Sequence, residues 1–245
     1  MSSSEFRQMR IGILKADTVL DEFQAEHGDY PQMFLGLLAQ AQLDPEQFVI
    51  IDAQAATLPP ITVADHYLIT GSKHSVYDDL PWIPRLAEFV SEALADARKV
   101  VGICFGHQLL AHFFGGLVEP AEQGWRVGVN VNTVLANEYW MRPQLRQYAT
   151  LSSHQDQVQK MPPGAKLLAS HPACPIAAFE MPQGALAIQG HPEFQKPYAR
   201  ALLATRESRV GAETFQEGMA SFAEPTTSAA VAHWLCNFLG SSTSE

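Results

Sequence analysis

Lys99-Val100-Val101-Gly102-Ile103-Cys104-Phe105-Gly106-His107-Gln108-Leu109-Leu110-Ala111 is the stretch that decides the fold of this chain. A β-branched apolar run leads into Gly-x-Cys-x-Gly, and an apolar-periodic segment of good helix formers follows, so the pattern predicts strand, sharp turn, helix. Cys104 falls at the turn. The arrangement is the cysteine counterpart of the Gly-x-Ser-x-Gly nucleophile elbow, whose glycines permit a strained backbone and keep the nucleophile exposed above the strand ends. Unpaired N–H groups and the positive dipole end of the following helix favour thiolate over thiol there. A lone cysteine among apolar residues is ordinarily core packing, with burial raising its pKa. The flanking glycines weigh against that reading, because they weaken a plain strand and serve a tight turn.

Upstream of the elbow, strands and helices alternate. Arg10 to Ala16 predicts a first strand and polar Asp21 to Tyr30 a loop. Pro31 suits the first turn of a helix to about Gln42, with Met33, Phe34, Leu37 and Leu38 on one side. Phe48-Val49-Ile50-Ile51 has the continuous apolar character of a strand buried on both faces. Ala64 to Ile69 predicts another strand, ending at Thr70-Gly71-Ser72, and Pro81 to Ala97 a helix through Ile83, Leu86, Phe89, Val90 and Leu94. This order implies βαβ crossovers and an α/β fold: a mainly parallel central sheet with helices on both faces. Ligands bind such sheets at the carboxyl ends of the strands, where Gly71 and Cys104 both fall.

Beyond Gly115-Gly116 the texture changes. Arg126 to Leu135, Ala165 to Ala169 and Pro175 to Glu180 predict shorter strands of a smaller antiparallel part. Met181-Pro182-Gln183-Gly184 carries a type I turn signature joining Ile176–Glu180 to Ala185–Gln189 as a hairpin. Pro197 to about Leu239 predicts helices broken near Gly211 and Pro225. With no repeat or low-complexity linker, residues 1–245 are expected to form one domain.

Composition narrows the function classes. Hydrophobic residues make up 47% and charged residues 17%, which excludes a disordered chain. Sixteen basic against 26 acidic residues give a formal charge of −10 with no dense Lys/Arg cluster, so no nucleic-acid partner is expected. No apolar run has the length of a membrane span, and Met1 to Met9 have no hydrophobic signal-peptide core. Cys104, Cys174 and Cys236 match neither a zinc site nor a disulfide framework, and free thiols fit a reducing compartment. A cytoplasmic protein is expected.

A cysteine nucleophile needs a base, and the base needs an orienting group. Ile188-Gln189-Gly190-His191-Pro192-Glu193-Phe194 supplies both. Pro192 biases His191 toward an extended conformation, so His191 and Glu193 project to the same side. The carboxylate then fixes the tautomer that offers the other ring nitrogen to Cys104. A His-x-Glu pair alone is more often a surface ion pair; the combination with an elbow cysteine carries the weight. His107 and His112, five residues apart on a helix, diverge by about 140° and do not form a metal pair. His154 is expected in a polar loop, touching substrate or solvent. His27, His66, His74, His171 and His233 have no partner visible in the sequence and are expected to be structural or exposed.

Gly102-Ile103-Cys104-Phe105-Gly106-His107-Gln108-Leu109-Leu110-Ala111 with Gly190-His191-Pro192-Glu193 resembles the class I glutamine amidotransferase family. Thr70-Gly71-Ser72-Lys73-His74-Ser75-Val76-Tyr77-Asp78 is similar to the oxyanion-loop segment of the amidotransferase domain of GMP synthetase. Ser152-Ser153-His154-Gln155-Asp156 resembles that family's Ser-His-Gly-Asp loop. The resemblance covers about Arg10 to Phe194 and implies a flavodoxin-like fold. It makes Cys104 the nucleophile, His191 the acid–base and Glu193 its orienter, with the N–H groups of Gly71 and Phe105 as the oxyanion hole. It gives Gln108, Ser153, His154, Gln155 and Asp156 the amino-acid end of the substrate. Ser72 and Gln155 depart from the family, which commonly has glycine at both.

The implied reaction is hydrolysis of the glutamine side-chain amide through a cysteine thioester, with no cofactor and no metal. The chain has neither a Gly-x-x-x-x-Gly-Lys-Ser/Thr phosphate loop nor the Ser-Gly-Gly-x-Asp-Ser loop of GMP synthetase, so ammonia would pass to a separate synthetase. Two other readings stand beside this one: a stand-alone peptidase acting on γ-glutamyl conjugates, and a non-catalytic regulatory or binding subunit. The intact Cys104, His191 and Glu193 set argues against the last.

Overall fold

The computed structural model describes residues 9–241. Apart from Met9, which is buried in the core, the N-terminal stretch Met1 to Met9 lies outside them. Strand β1 (Ile11–Lys15) pairs in parallel with β2 (Phe48–Asp52) and β3 (His66–Ile69). β3 pairs in parallel with β4 (Val100–Ile103), and β4 with β11 (Ala185–Ile188). The sheet then continues antiparallel through β10 (Cys174–Met181), β9 (Lys166–His171), β6 (Arg126–Val134) and β7 (Gln147–His154). Its nine strands run β2-β1-β3-β4-β11-β10-β9-β6-β7, and β5 (Leu117–Pro120) and β8 (Asp156–Lys160) form a separate antiparallel ribbon. The hairpin joining β10 to β11 turns through Pro182-Gln183-Gly184, with Gly184 N–H donating to Met181 O at 3.0 Å.

The apolar runs of the central strands serve two cores, because successive side chains point to opposite faces. Ile11, Ile13, Leu68, Val101, Ile103, Leu186 and Ile188 face one core, closed by α2 (Tyr30–Ala39) and α8 (Ser228–Gly240). Leu14, Tyr67, Ile69, Val100, Ala185 and Ala187 face the other, closed by α3 (Trp82–Ala95) and α4 (Phe105–Phe113). Each fully buried Ile or Leu contributes about 1.5–3 kcal/mol relative to exposure. A third cluster joins Val127 and Leu151 of the antiparallel strands to α5 (Lys196–Ala204) through Phe194, Tyr198, Leu202 and Leu203. Short α6 (Glu207–Val210) and α7 (Ala212–Ser221) follow, and no helix among the described residues is long and apolar enough to cross a membrane.

Three expectations change. Asp21 to Tyr30 is not a loop: Asp21–His27 is helix α1, which buries no residue and so carries no apolar period to reveal it. Asp21 and Glu22 in its first turn complement the helix dipole. β2 is an edge strand, with Ile50 46% exposed, because a short apolar run does not distinguish an interior strand from an edge. Ser152 to Asp156 is not a loop either: Ser152, Ser153 and His154 end β7, Asp156 opens β8, and only Gln155 lies between.

Candidate active site

Cys104 stands between β4 and α4 with φ 51° and ψ −96°, a conformation costing a non-glycine residue about 1–3 kcal/mol. Its surroundings hold it there: Cys104 N–H donates to Ile188 O at the end of β11 (2.9 Å), and Gln108 N–H donates to Cys104 O (3.0 Å). The glycines on either side serve closeness rather than strain. A Cβ on Gly102 would stand 2.4 Å from Gly106 O, and one on Gly106 would stand 2.8 Å from Ile69 Cβ. Their absence lets α4 lie against β3 and β4, so that its first-turn N–H groups, which have no intrahelical acceptor, open beside Cys104.

β11 ends at Ile188, and Gln189-Gly190 carries the chain to His191, whose N–H donates to Leu151 O of β7 at 2.7 Å. His191 Nδ1 meets Glu193 Oε1 at 2.7 Å, with the two side chains 5% and 0% exposed. That contact leaves Nε2 clear of Glu193, and Cys104 lies near enough for its charge to act on the ring. Burial by itself lowers the histidine pKa; the Cys104 thiolate and the Glu193 carboxylate outweigh it and raise His191 to about 10. Phe194 stacks on the ring at 3.9 Å, within 11° of parallel. Gly71 lies beside it: a Cβ there would stand 2.7 Å from His191 Cε1 and 3.7 Å from Cys104 Cβ.

A cleft of about 220 Å³ opens over Cys104 and is lined by all five residues matched to the amino-acid end of a substrate: Gln108, Ser153, His154, Gln155 and Asp156. Gln108 Nε2 donates to Asp156 O (2.8 Å) and Gln189 Oε1 (3.2 Å), and Ser75 Oγ donates to Asp156 Oδ2 (2.5 Å). His154, only 5% exposed, places Nδ1 3.1 Å from Asp156 O, and burial pushes it down to about 3, so its ring is neutral. Gly71 and Phe105 flank Cys104 through their backbones, and the Phe105 side chain is fully buried.

Residues 46–205 match the family model described as glutamine amidotransferase class-I. The chain belongs to the class I glutamine amidotransferase family. It is 30% identical over 176 residues to gamma-glutamyl peptidase 3 of Arabidopsis thaliana, covering 69% of this chain and 71% of that one. A shorter stretch of 95 residues, 38% of this chain and 50% of the relative, is 37% identical to one of the subunits of the glutamine-hydrolyzing GMP synthase of Pyrococcus furiosus. The solved glutamine amidotransferase of Methylobacillus flagellatus shares the fold at TM-score 0.72 and 19% identity, covering 94% of each chain.

The site around Cys104 includes residues that the sequence did not single out. Phe194 was visible only as the residue after the His-Pro-Glu motif. His74, treated as structural or exposed, lines the cleft, with Nδ1 3.4 Å from Asp78 Oδ2. Lys73 lines it too, with Nζ paired to Asp17 at 2.9 Å. Trp125, Arg206 and Arg209 also line the cleft. The arginines lie beyond the motif-bearing region, in a segment whose only legible signal was helix, so nothing tied them to Cys104.

Proposed function

We propose that this protein hydrolyses γ-glutamyl amide bonds through a thioester on Cys104. The observation that carries the reading is the buried hydrogen bond between His191 and Glu193 beside Cys104, which faces a cleft at the ends of the parallel strands. In this reading the Cys104 thiolate attacks the γ-carbonyl carbon. The N–H groups of Gly71 and Phe105 receive the developing oxyanion; in comparable sites one such donor is worth about 2.7–4 kcal/mol. The imidazolium of His191 protonates the departing nitrogen, which leaves as ammonia or an amine. His191, now neutral, takes a proton from water, the hydroxide attacks the thioester, and glutamate departs as the Cys104 thiolate re-forms beside the imidazolium. Glu193 holds the tautomer and balances the imidazolium charge.

Glutamine is the simplest substrate of this chemistry, its ammonia then being consumed by a separate synthetase, as the likeness to a GMP synthase subunit supports. The broader likeness to a gamma-glutamyl peptidase supports an amine leaving group instead. Ammonia release from glutamine and amine release from a γ-glutamyl dipeptide, measured on the native chain and on Cys104→Ala, test the reading. Both activities are expected to vanish in Cys104→Ala. Hydrolysis undiminished by that change removes Cys104 from the mechanism; capture of Cys104 by the diazo-ketone analogue of glutamine supports it.

A further inference from the structure

One wall of the Cys104 cleft carries two guanidinium groups that the chemistry at sulfur does not use. Arg206, at the start of α6, donates from Nη1 to Ser153 Oγ at 2.6 Å and lies 5.4 Å from the Trp125 ring centre. Arg209, one turn further, lies 4.9 Å from the same ring. Among the described residues neither forms an ion pair with a carboxylate. Arg206 is also partly withdrawn from water, and burial lowers its pKa; a cation so placed gains from an anion brought to it. The chain as a whole is acidic, so this basic wall runs against its average.

The cleft presents one acid, Asp156, and its lysine, Lys73, is already matched by Asp17. A γ-glutamyl group brings one α-ammonium and one α-carboxylate. Asp156 answers the ammonium. Arg206, anchored to Ser153 in the same β7–β8 corner as Asp156, answers the carboxylate. That leaves Arg209 without a match when the substrate is glutamine, whose leaving group is ammonia. A γ-glutamyl amino acid or peptide carries a second carboxylate on the amine that leaves.

We infer that Arg209, held against Trp125, binds a carboxylate on the leaving amine, so that the preferred substrates are γ-glutamyl amino acids or peptides with a free C-terminus. This rests on the proposal that Cys104 attacks γ-glutamyl amides. Arginine suits the task because its planar fork meets a carboxylate through two parallel hydrogen bonds while its face stacks on an indole.

The test separates binding from turnover. Calorimetry on Cys104→Ala compares γ-glutamylglycine with γ-glutamylglycinamide, which differ only in the C-terminal carboxylate. The acid is expected to bind about tenfold more tightly, an ordinary return for one charge-assisted contact at a partly solvated site. In Cys104→Ala/Arg209→Ala the acid-to-amide ratio is expected to fall to about one. On the native cysteine, Arg209→Ala is expected to lower kcat/KM about tenfold more for the acid than for the amide, with Arg209→Lys restoring part of the difference. Arg206→Ala is expected to weaken acid, amide and glutamine together. Equal binding of acid and amide, no binding of either, or equal losses for both in Arg209→Ala overturns the assignment. Discrimination in binding without turnover of either compound keeps the assignment and instead removes the hydrolytic reading on which it was built.

Discussion

His191 and Glu193, two residues apart and fully enclosed, share a 2.7 Å hydrogen bond that fixes which ring nitrogen faces Cys104. The contact follows from an extended dipeptide: Pro192 keeps His191 out of the helical region, and the intervening residue brings Glu193 back to the same side. With Phe194 stacked on the ring, rotation of the imidazole is blocked on that face.

Glu193→Gln keeps the size and removes the charge. The amide is compatible with the wrong tautomer and no longer balances the imidazolium. A loss of about 10²–10⁴ in kcat is expected, by analogy of role with buried orienting carboxylates. The sign of the pH effect also follows. Glu193 helps to raise His191 to about 10, so without it the imidazolium is lost at lower pH as pH rises. The alkaline limb of the pH–rate profile should therefore move to lower pH. A profile that stays in place would show that Glu193 does not set the titration of His191.

Gly71→Ala tests closeness at the other side of the imidazole. The added Cβ would stand 2.7 Å from His191 Cε1, nearer than real Cβ contacts, so either the ring or the β3–α3 segment must shift. A displacement of about 1 Å can cost about 10²-fold in rate, and overpacking this buried position costs about 1–3 kcal/mol of stability. Activity of the folded protein should fall by about that factor while the urea midpoint falls only modestly. Full activity would place the working geometry of Gly71 elsewhere.

Much of this was legible from sequence, for reasons that differ by region. The parallel half announced itself because each apolar run packs on both sheet faces, and the elbow because Gly102, Cys104 and Gly106 stand at fixed spacing. The purpose of those glycines was not legible: the sequence pointed to backbone strain, whereas Cys104 bears the positive φ and the glycines admit α4 to the sheet. β7 escaped notice because Thr150, Ser152 and His154 are polar yet buried around the site, so the strand lacks the alternation that marks an ordinary half-buried one. Helix α1 escaped for the opposite reason, having nothing buried. Arg206 and Arg209 reach the Cys104 cleft only through the packing of α5 on β6 and β7 and of α7 on β6, with α6 held against α7, which no local pattern encodes.

Lys99→Met probes the far end of β4. Lys99 is 4% exposed, and its Nζ donates to Phe238 O (2.6 Å), Ser241 O (2.5 Å) and Ser241 Oγ, closing the C-terminal turn of α8. Methionine fills the space but leaves carbonyls without their donor. Losing such charge-assisted bonds should cost about 1.5–3 kcal/mol, read as a lowered urea midpoint. KM and kcat should stay within about twofold in the folded protein, because Lys99 sits at the opposite end of the strand from Cys104. An unchanged midpoint would mean that the lysine does not contribute to holding α8.

His107→Gln addresses stability in acid. His107 is fully buried on α4 with its ring centre 5.1 Å from that of Phe179, and burial, reinforced by His154, pushes it down to about 3. His154 is likewise lowered to about 3, chiefly by burial. Both rings are neutral in the fold but take up a proton near pH 6.5 once unfolded, so between those values the unfolded chain binds more protons. The stability contributed by these two rings is therefore complete above about pH 6.5 and falls as pH drops toward 3, each histidine adding up to about 1.4 kcal/mol per pH unit once its unfolded ring is fully protonated. His191 does not enter this window, because its pKa is raised and its stability linkage lies at higher pH. Urea unfolding between about pH 5 and 6.5 should give His107→Gln a slope of stability against pH lower by about 1 kcal/mol per unit, whatever its stability at neutral pH. A slope equal to that of the native chain would require His107 to be protonated inside the fold, and the buried ring would then need an anionic partner that the described residues do not provide.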